Sequence, residues 1–292
     1  PLKRAGTVDE VAVYNTALSA ARVAAHNTAA RTPWNGDLSG ARVGRLLDAG
    51  GWPAADRLID TGVAVLQSVD LEESLLSLLQ KVEETEAGAL FVTAAGQVRF
   101  IARDSLLKSP YRTSQATFGD TGTDLEYGDQ SYVYNDALIF NEVRVSRTNG
   151  VVQVVSDTTS QTRYLRRTRV IDGLLHQTDS TSLDRANWEL AHYKDPTLRV
   201  TDLKLEPSAS NEATHFPQAL GRELMDRVTV KRTPQNLGSS IQQDVLIEGI
   251  SHDVTAMQWI TTWNLSPAEA QAYWIVGVAG SSELEQTTRL GF

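Results

Sequence analysis

Residues Leu138–Ser156 read LIFNEVRVSRTNGVVQVVS. Two runs rich in β-branched residues, Leu138–Ser146 and Val151–Ser156, flank Asn149-Gly150, and an Asn-Gly pair between alternating apolar runs is the strongest short-range signal for a β-hairpin. The strand pattern continues toward the C-terminus through Arg199–Glu206, Arg227–Arg232, Asp244–Ile250 and Val254–Leu265. In the last of these, Trp259, Thr261, Trp263 and Leu265 share one face. A one-residue slip would turn both tryptophans to the opposite side, so the register is expected to be firmly set.

Helices are fewer. Leu71, Leu75, Leu78, Leu79 and Val82 form an apolar stripe at helical spacing, predicting a helix over Leu71–Ala87 with Asp70 as N-cap, Glu73 three residues on and Gly88 closing it. A hairpin follows, Ala89–Thr93 and Gln97–Arg103, turning through Ala94-Ala95-Gly96. Upstream, Val43, Leu46 and Leu47 predict a short helix from Ser39, ended by Gly50-Gly51 through the left-handed conformation glycine adopts without penalty. A further helix is expected at Leu183–Tyr193, capped by Ser182 and stopped before Pro196. At the start, Val8–Tyr14 alternates like a half-buried strand and Thr16–Ala30 suits a helix. Thirty residues cannot bury enough surface to fold alone, so this piece should pack on something else. The chain opens at Pro1 and enters the strand-like run within eight residues, so an upstream domain is expected.

These elements predict an α+β, β-rich fold with β-barrel or sandwich-like units and a few short helices. At 292 residues, two or three compact units are the expectation. The organisation they predict is a strand and helix over 1–30, a helix-hairpin α+β domain over 31–110, β-rich units over 111–265 with a helix inserted near 183–193, and a C-terminal segment over 266–292. No period of 20–50 residues is visible, which disfavours solenoids and propellers.

Composition removes several function classes. A net charge of -9 argues against stable nucleic-acid binding, which needs Lys and Arg to displace counterions. There is no cysteine, so disulfides, thiolate zinc sites and thiol nucleophiles are excluded. No apolar run approaches the roughly 18–20 residues of a bilayer span.

The search for catalytic constellations finds none with specific spacing. His26, His176, His192, His215 and His252 are dispersed, without His-Glu-x-x-His. No phosphate-cradling loop or Gly-x-Ser-x-Gly elbow occurs. His252-Asp253 are neighbours on a strand and point to opposite faces, so they cannot orient one another directly as a triad requires. Glu83, Glu84 and Glu86 are the best carboxylates for glycoside hydrolysis, yet a charge run at the end of an amphipathic helix reads first as a solvated face. Asp120, Asp124, Glu126 and Asp129 lack the ordered ligand spacing of a calcium loop. Accordingly no catalytic, cofactor or metal residue is assigned, and no cofactor is expected. Trp188, Trp259 and Trp263 read as core. Trp274 and Ile275, within Tyr273–Val276, together with Leu290 and Phe292, are apolar anchors on an extended segment and are the candidate interface residues, docking on a neighbouring subunit or on the same chain.

Three stretches carry a family resemblance. They are Ser39 through Gly51-Trp52-Pro53 to Asp60-Thr61-Gly62 with Leu75–Gln80, Glu84–Phe91 and Gly96–Arg103; Asn141–Arg147 with its hairpin and Ser160; and Trp259–Pro267 with Trp274–Gly277 and Thr288–Phe292. Together they resemble minor tail proteins, the baseplate hub proteins of actinobacterial long-tailed phages. The resemblance implies a non-enzymatic virion protein at the tail tip, assembled in the host cytoplasm, whose β-barrel domains form a ring, usually threefold. It implies as partners further copies of the chain, other tail-tip, distal tail and tape-measure proteins, and a tip or fibres. Gly6–Asn15 with Ala17-Leu18-Ser19 resembles the closing strand of a laminin-G-like, concanavalin-like jelly roll, which would place any cell-wall glycan binding in an upstream domain. A receptor-binding module for cell-wall glycan and a peptidoglycan hydrolase are the alternatives.

Overall fold

The computed structural model describes residues 12–31, 34–69, 73–120, 122–134, 136–209, 212–234 and 240–268, with the backbone at 272–273 and 288–289. In chain order the elements are α1 (Ala20–Arg31), β1 (Asp37–Leu38), α2 (Ser39–Ala49), β2 (Arg57–Ile59), β3 (Val65–Leu66), α3 (Leu75–Glu86), β4 (Ala89–Val92) and β5 (Val98–Ile101). Next come β6 (Thr117–Phe118), β7 (Asp129–Val133), β8 (Glu142–Arg147), β9 (Gln153–Ser156), α4 (Thr158–Tyr164), β10 (Thr168–Leu174) and α5 (Asp179–Tyr193). The remainder are β11 (Arg199–Leu205), α6 (Glu212–Gly221), β12 (Arg227–Arg232), β13 (Ile241–Val254), β14 (Trp259–Pro267), β15 (Ala272–Tyr273) and β16 (Thr288–Arg289). The fold is α+β and β-rich, with three separate clusters of buried apolar side chains.

The first cluster forms where α2 and α3 meet a small sheet. The apolar stripes expected from the sequence supply it: Val43, Leu46 and Leu47 from α2, and Leu78, Leu79 and Val82 from α3, with Val98 and Phe100 of β5 beneath them. Strands β4 and β5 form the expected hairpin, with Gly96 at φ +81°, and β2 adds in parallel to β5. Helix α3 is shorter than its apolar period. Ser74 takes the N-cap by accepting from Ser77 N, so the helix begins at Leu75. The expected cap Asp70 and the adjoining Leu71-Glu72 lie outside the described residues. The left-handed residue closing it is Ala87, at φ +56°, and Gly88 is needed for a different reason: a Cβ there would stand 2.2 Å from Ile101 O. After α2, likewise, only Gly51 is left-handed, at φ +73°; Gly50 stays right-handed.

The second cluster contains Val143, Val145, Ile171, Leu174 and Ala186. Strand β8 lies between β9, its antiparallel hairpin partner, and β10, which is parallel to it. Asn149 holds the positive φ that the hairpin turn needs. Helix α5 covers the inner face and begins at Asp179, earlier than expected, because Thr178 is the cap; its side chain accepts from Thr181 N. Ser182, the expected cap, is buried inside the helix against His176.

The third cluster sits within a six-stranded sheet of order β6-β12-β13-β14-β11-β7. The sheet curls, bringing Phe118 on the edge strand β6 against Trp263 of β14 edge-on at 5.4 Å between ring centroids. Thr261, Trp263 and Leu265 are buried on the face that the alternation predicted. A bulge at Gly249 lets β13 run on to Val254; a Cβ at that position would meet Asn264 Nδ2 at 2.9 Å.

At the amino end, residues 12–14 carry no strand, and Val8–Val11 lie outside the described residues. Val13 is 94% exposed and α1 presents exposed side chains over residues 20–27, so the described residues of this piece are not buried.

Candidate functional site

Polar groups join the first cluster to the second. Residues 175–177 run beside β3: Gln67 N donates to Leu175 O at 2.8 Å and Gln177 N to Val65 O at 2.9 Å. Leu175 thereby enters the first core, and its N–H donates to Thr85 Oγ1 at 3.0 Å. His176 is buried at the centre of this seam. Its Nε2 lies 3.1 Å from Thr85 O, so that nitrogen carries the proton, and its Nδ1 lies 3.1 Å from Ser182 Oγ. Burial depresses its pKa from 6.5 to about 4, offset in part by the Thr85 carbonyl and reinforced by Arg185 and Arg103.

Beyond the seam lies an open cleft of about 1130 Å³, bordered by residues of α3, β10, α5, β13 and β14. One wall is α5 with β10. Arg185 bonds Glu189 at 2.6 Å and lies 4.9 Å over the Trp188 ring, while Arg169 meets the other oxygen of Glu189 at 3.1 Å and lies 5.0 Å over Tyr193. Two guanidinium groups therefore share one buried carboxylate. Burial lowers the Arg185 pKa, opposed by Glu189, yet a guanidinium stays charged. The Arg185 Nε and Nη1 atoms make no hydrogen bond. The rest of the lining includes Leu106 and Leu107, the end of α3, and residues 241–244 and 266–268 of the curled sheet.

The acids proposed for hydrolysis divide between two environments. Glu83 and Glu84 line the cleft, and burial raises the Glu83 carboxyl although Leu90 N donates to it at 2.8 Å. Glu86 does not sit on a solvated face: it is fully buried, accepting from Ser39 Oγ at 2.7 Å, Ala64 N at 2.8 Å, Val63 N at 3.2 Å and Arg103 N at 3.3 Å. It ties α2, α3 and the turn before β3 together and cannot face a substrate. Glu189 is held by its two arginines.

The loop acids are similarly dispersed among separate partners. Asp120 accepts from Thr233 N, Asp124 pairs with Lys231, Asp129 with Lys204, and the Glu126 carbonyl accepts from His215 Nε2. Among the described residues no three His, Asp or Glu side chains converge at metal-holding range. His26 meets Tyr14, His192 Nδ1 meets Trp188 O, and His252 accepts from Trp259 Nε1 within an aromatic trio completed by Phe216. Of the three tryptophans read as core, only Trp263 is fully buried; Trp188 lines the cleft and Trp259 is partly exposed. Trp274, Ile275, Leu290 and Phe292 lie outside the described residues. Sequence reasoning passed over Arg169, Arg185 and Glu189; the i, i+4 spacing of the last two is visible, but it reads as a solvent-exposed helix pair until β10 arrives to bury it.

The architecture is thus a curled-sheet, three-core α+β fold beside an open cleft, and solved structures of tail and virion proteins share it. The chain aligns with the tail protein from Neisseria meningitidis MC58 at TM-score 0.54 and 12% identity, covering 80% of this chain and 67% of that one. It aligns with the 43 kDa tail protein of prophage MuSo2 from Shewanella oneidensis at TM-score 0.50 and 13% identity, covering 80% and 64%. It also aligns with a chain of the virion of a native gene transfer agent particle at TM-score 0.51 and 14% identity, covering 89% and 56%. The chain therefore spans between about half and two thirds of the length of these proteins. No protein-family model matches the sequence, and no curated protein matches it.

Proposed function

We propose that this chain is a structural, non-enzymatic protein of a phage tail, and that it forms a hub ring joining the tail tube to tip or fibre proteins. The observation that carries this reading is the architecture shared across 80–89% of the chain with three tail and virion proteins. In this reading the self-contacts are threefold, the neighbours are distal tail and tape-measure proteins, and the exposed segment before Asp37 packs on an upstream domain.

Light scattering of the purified chain over a hundredfold range of concentration tests the proposal. A trimer or hexamer is expected, with subunit contacts above the roughly 1,000 Å² that separates specific interfaces from incidental ones. A persistent monomer in the presence of its tail-tube neighbours overturns it. A glycan-binding module is the second reading, favoured by Trp188 and the paired arginines in an open cleft. Retention of cell-wall polysaccharide by the chain, lost on Trp188→Ala, would favour that reading instead.

A further inference from the structure

The cleft is larger than the roughly 300–1,000 Å³ of small-molecule pockets, and its lining draws on α3, β10, α5, β13 and β14. Its size and its apolar patches at Leu106, Leu107, Ile171 and Met225 suit a folded-in piece of polypeptide better than a small ligand. The chain itself supplies one. Strand β14 ends on the cleft wall: Pro267 and Ala268 line it, and Ala268, 6% exposed, is held there by its N–H donating to Asp244 O at 2.9 Å. The following residues include Tyr273-Trp274-Ile275-Val276, a run of four large apolar residues.

We infer that this cleft is the docking site for the C-terminal segment of the same chain, with Trp274 and Ile275 as anchors between Leu106-Leu107 and Trp188. Reach permits it: Trp274 lies six residues beyond Ala268, about 20 Å of extended chain at roughly 3.3–3.6 Å per residue. Strands β15 and β16 pair with each other in parallel, Ala272 beside Thr288 and Tyr273 beside Arg289. The cleft lining balances Arg112, Arg169, Arg185, Arg199 and Arg227 with Glu83, Glu84, Glu189, Asp244 and Glu248, so apolar contact rather than net charge would hold the segment. A buried tryptophan removes about 150–250 Å² from water, and tethering supplies it at millimolar effective concentration. The inference does not rest on the chain being a tail protein.

The absence of native cysteine makes a direct test available. In the full chain, paired cysteines Leu107→Cys with Ile275→Cys should form an intrachain disulfide about tenfold faster or more than the control Val154→Cys with Ile275→Cys, because docking raises the local thiol concentration. Val154 is exposed on β9, away from the cleft lining. A second pair, Leu106→Cys with Val276→Cys, guards against one variant folding poorly. Disulfide-linked dimers would place the anchors in a neighbouring copy's cleft and overturn docking within one chain. Free thiols in both pairs, or equal rates in test and control, would overturn the site itself.

Discussion

The curled sheet and the seam between the first two clusters are stabilised in opposite ways. The core of the curled sheet is mainly apolar, from Phe118 and Trp263 to Val200, Leu203, Leu205, Val228, Val230, Val245 and Ile247, and its buried polar residues, Thr229, Thr261 and Gln130, are uncharged. The first cluster and its seam bury Arg42, Glu86, His176 and Ser182 alongside their apolar residues. Arg42 is fully buried, donating to Trp34 O at 2.6 Å and Gln67 O at 2.9 Å and pairing with Asp37 at 3.3 Å. An apolar core tolerates approximate fit and is insensitive to pH, whereas a buried polar seam needs each partner in place and responds to protonation.

Removing the central ring of the curled sheet should have the largest effect. Trp263→Ala deletes a fully buried indole packed on Phe118 and is expected to cost about 3–5 kcal/mol, read from urea unfolding, with the same loss at pH 7 and pH 5. A loss below about 1 kcal/mol would mean that the curled sheet is not the rigid half of the molecule.

The seam should show the converse. His176 binds its proton less readily when folded, at about 4, than when unfolded, at 6.5. The unfolded chain therefore takes up protons first as pH falls, and stability present above 6.5 is lost progressively down to about 4. The size is about 2–3 kcal/mol by pH 4.5. His176→Gln, which can keep a donor toward Thr85 O, should flatten that part of the pH profile while lowering stability at neutral pH. An unchanged profile would remove His176 as the source.

The smallest effect should come from the cap of α3. Ser74→Ala removes the side chain that accepts from Ser77 N and should cost about 1 kcal/mol, with amide exchange rising at the first turn of α3 and not in the curled sheet. A cost equal to that of Trp263→Ala would mean that α3 and the curled sheet unfold as one unit.

Local chemistry made much of the fold readable along the chain. The hairpin around Asn149, the hairpin through Gly96, the apolar stripes of α2 and α3 and the alternating face of Thr261, Trp263 and Leu265 rest on turn propensity and on periods of two or 3.6 residues. Short elements without such a period were missed: α4, β10 and α6, the last carrying Pro217 inside it. Helix starts also escaped, because Ser74 and Asp70, or Thr178 and Ser182, are equally good caps on paper and packing chooses between them.

The cleft and the seam were readable only in part. Glu86 stands in the same acidic run as Glu83 and Glu84, yet one is enclosed by donors from residues 39, 63, 64 and 103 while the others line open space. Periodicity assigns a residue to a face of its own helix or strand, and that much is a property of neighbours along the chain. Whether a charge on that face is solvated, paired or buried depends on which distant backbone groups arrive beside it. Only the tertiary structure decides that, because desolvation and hydrogen bonding act through space rather than along the sequence.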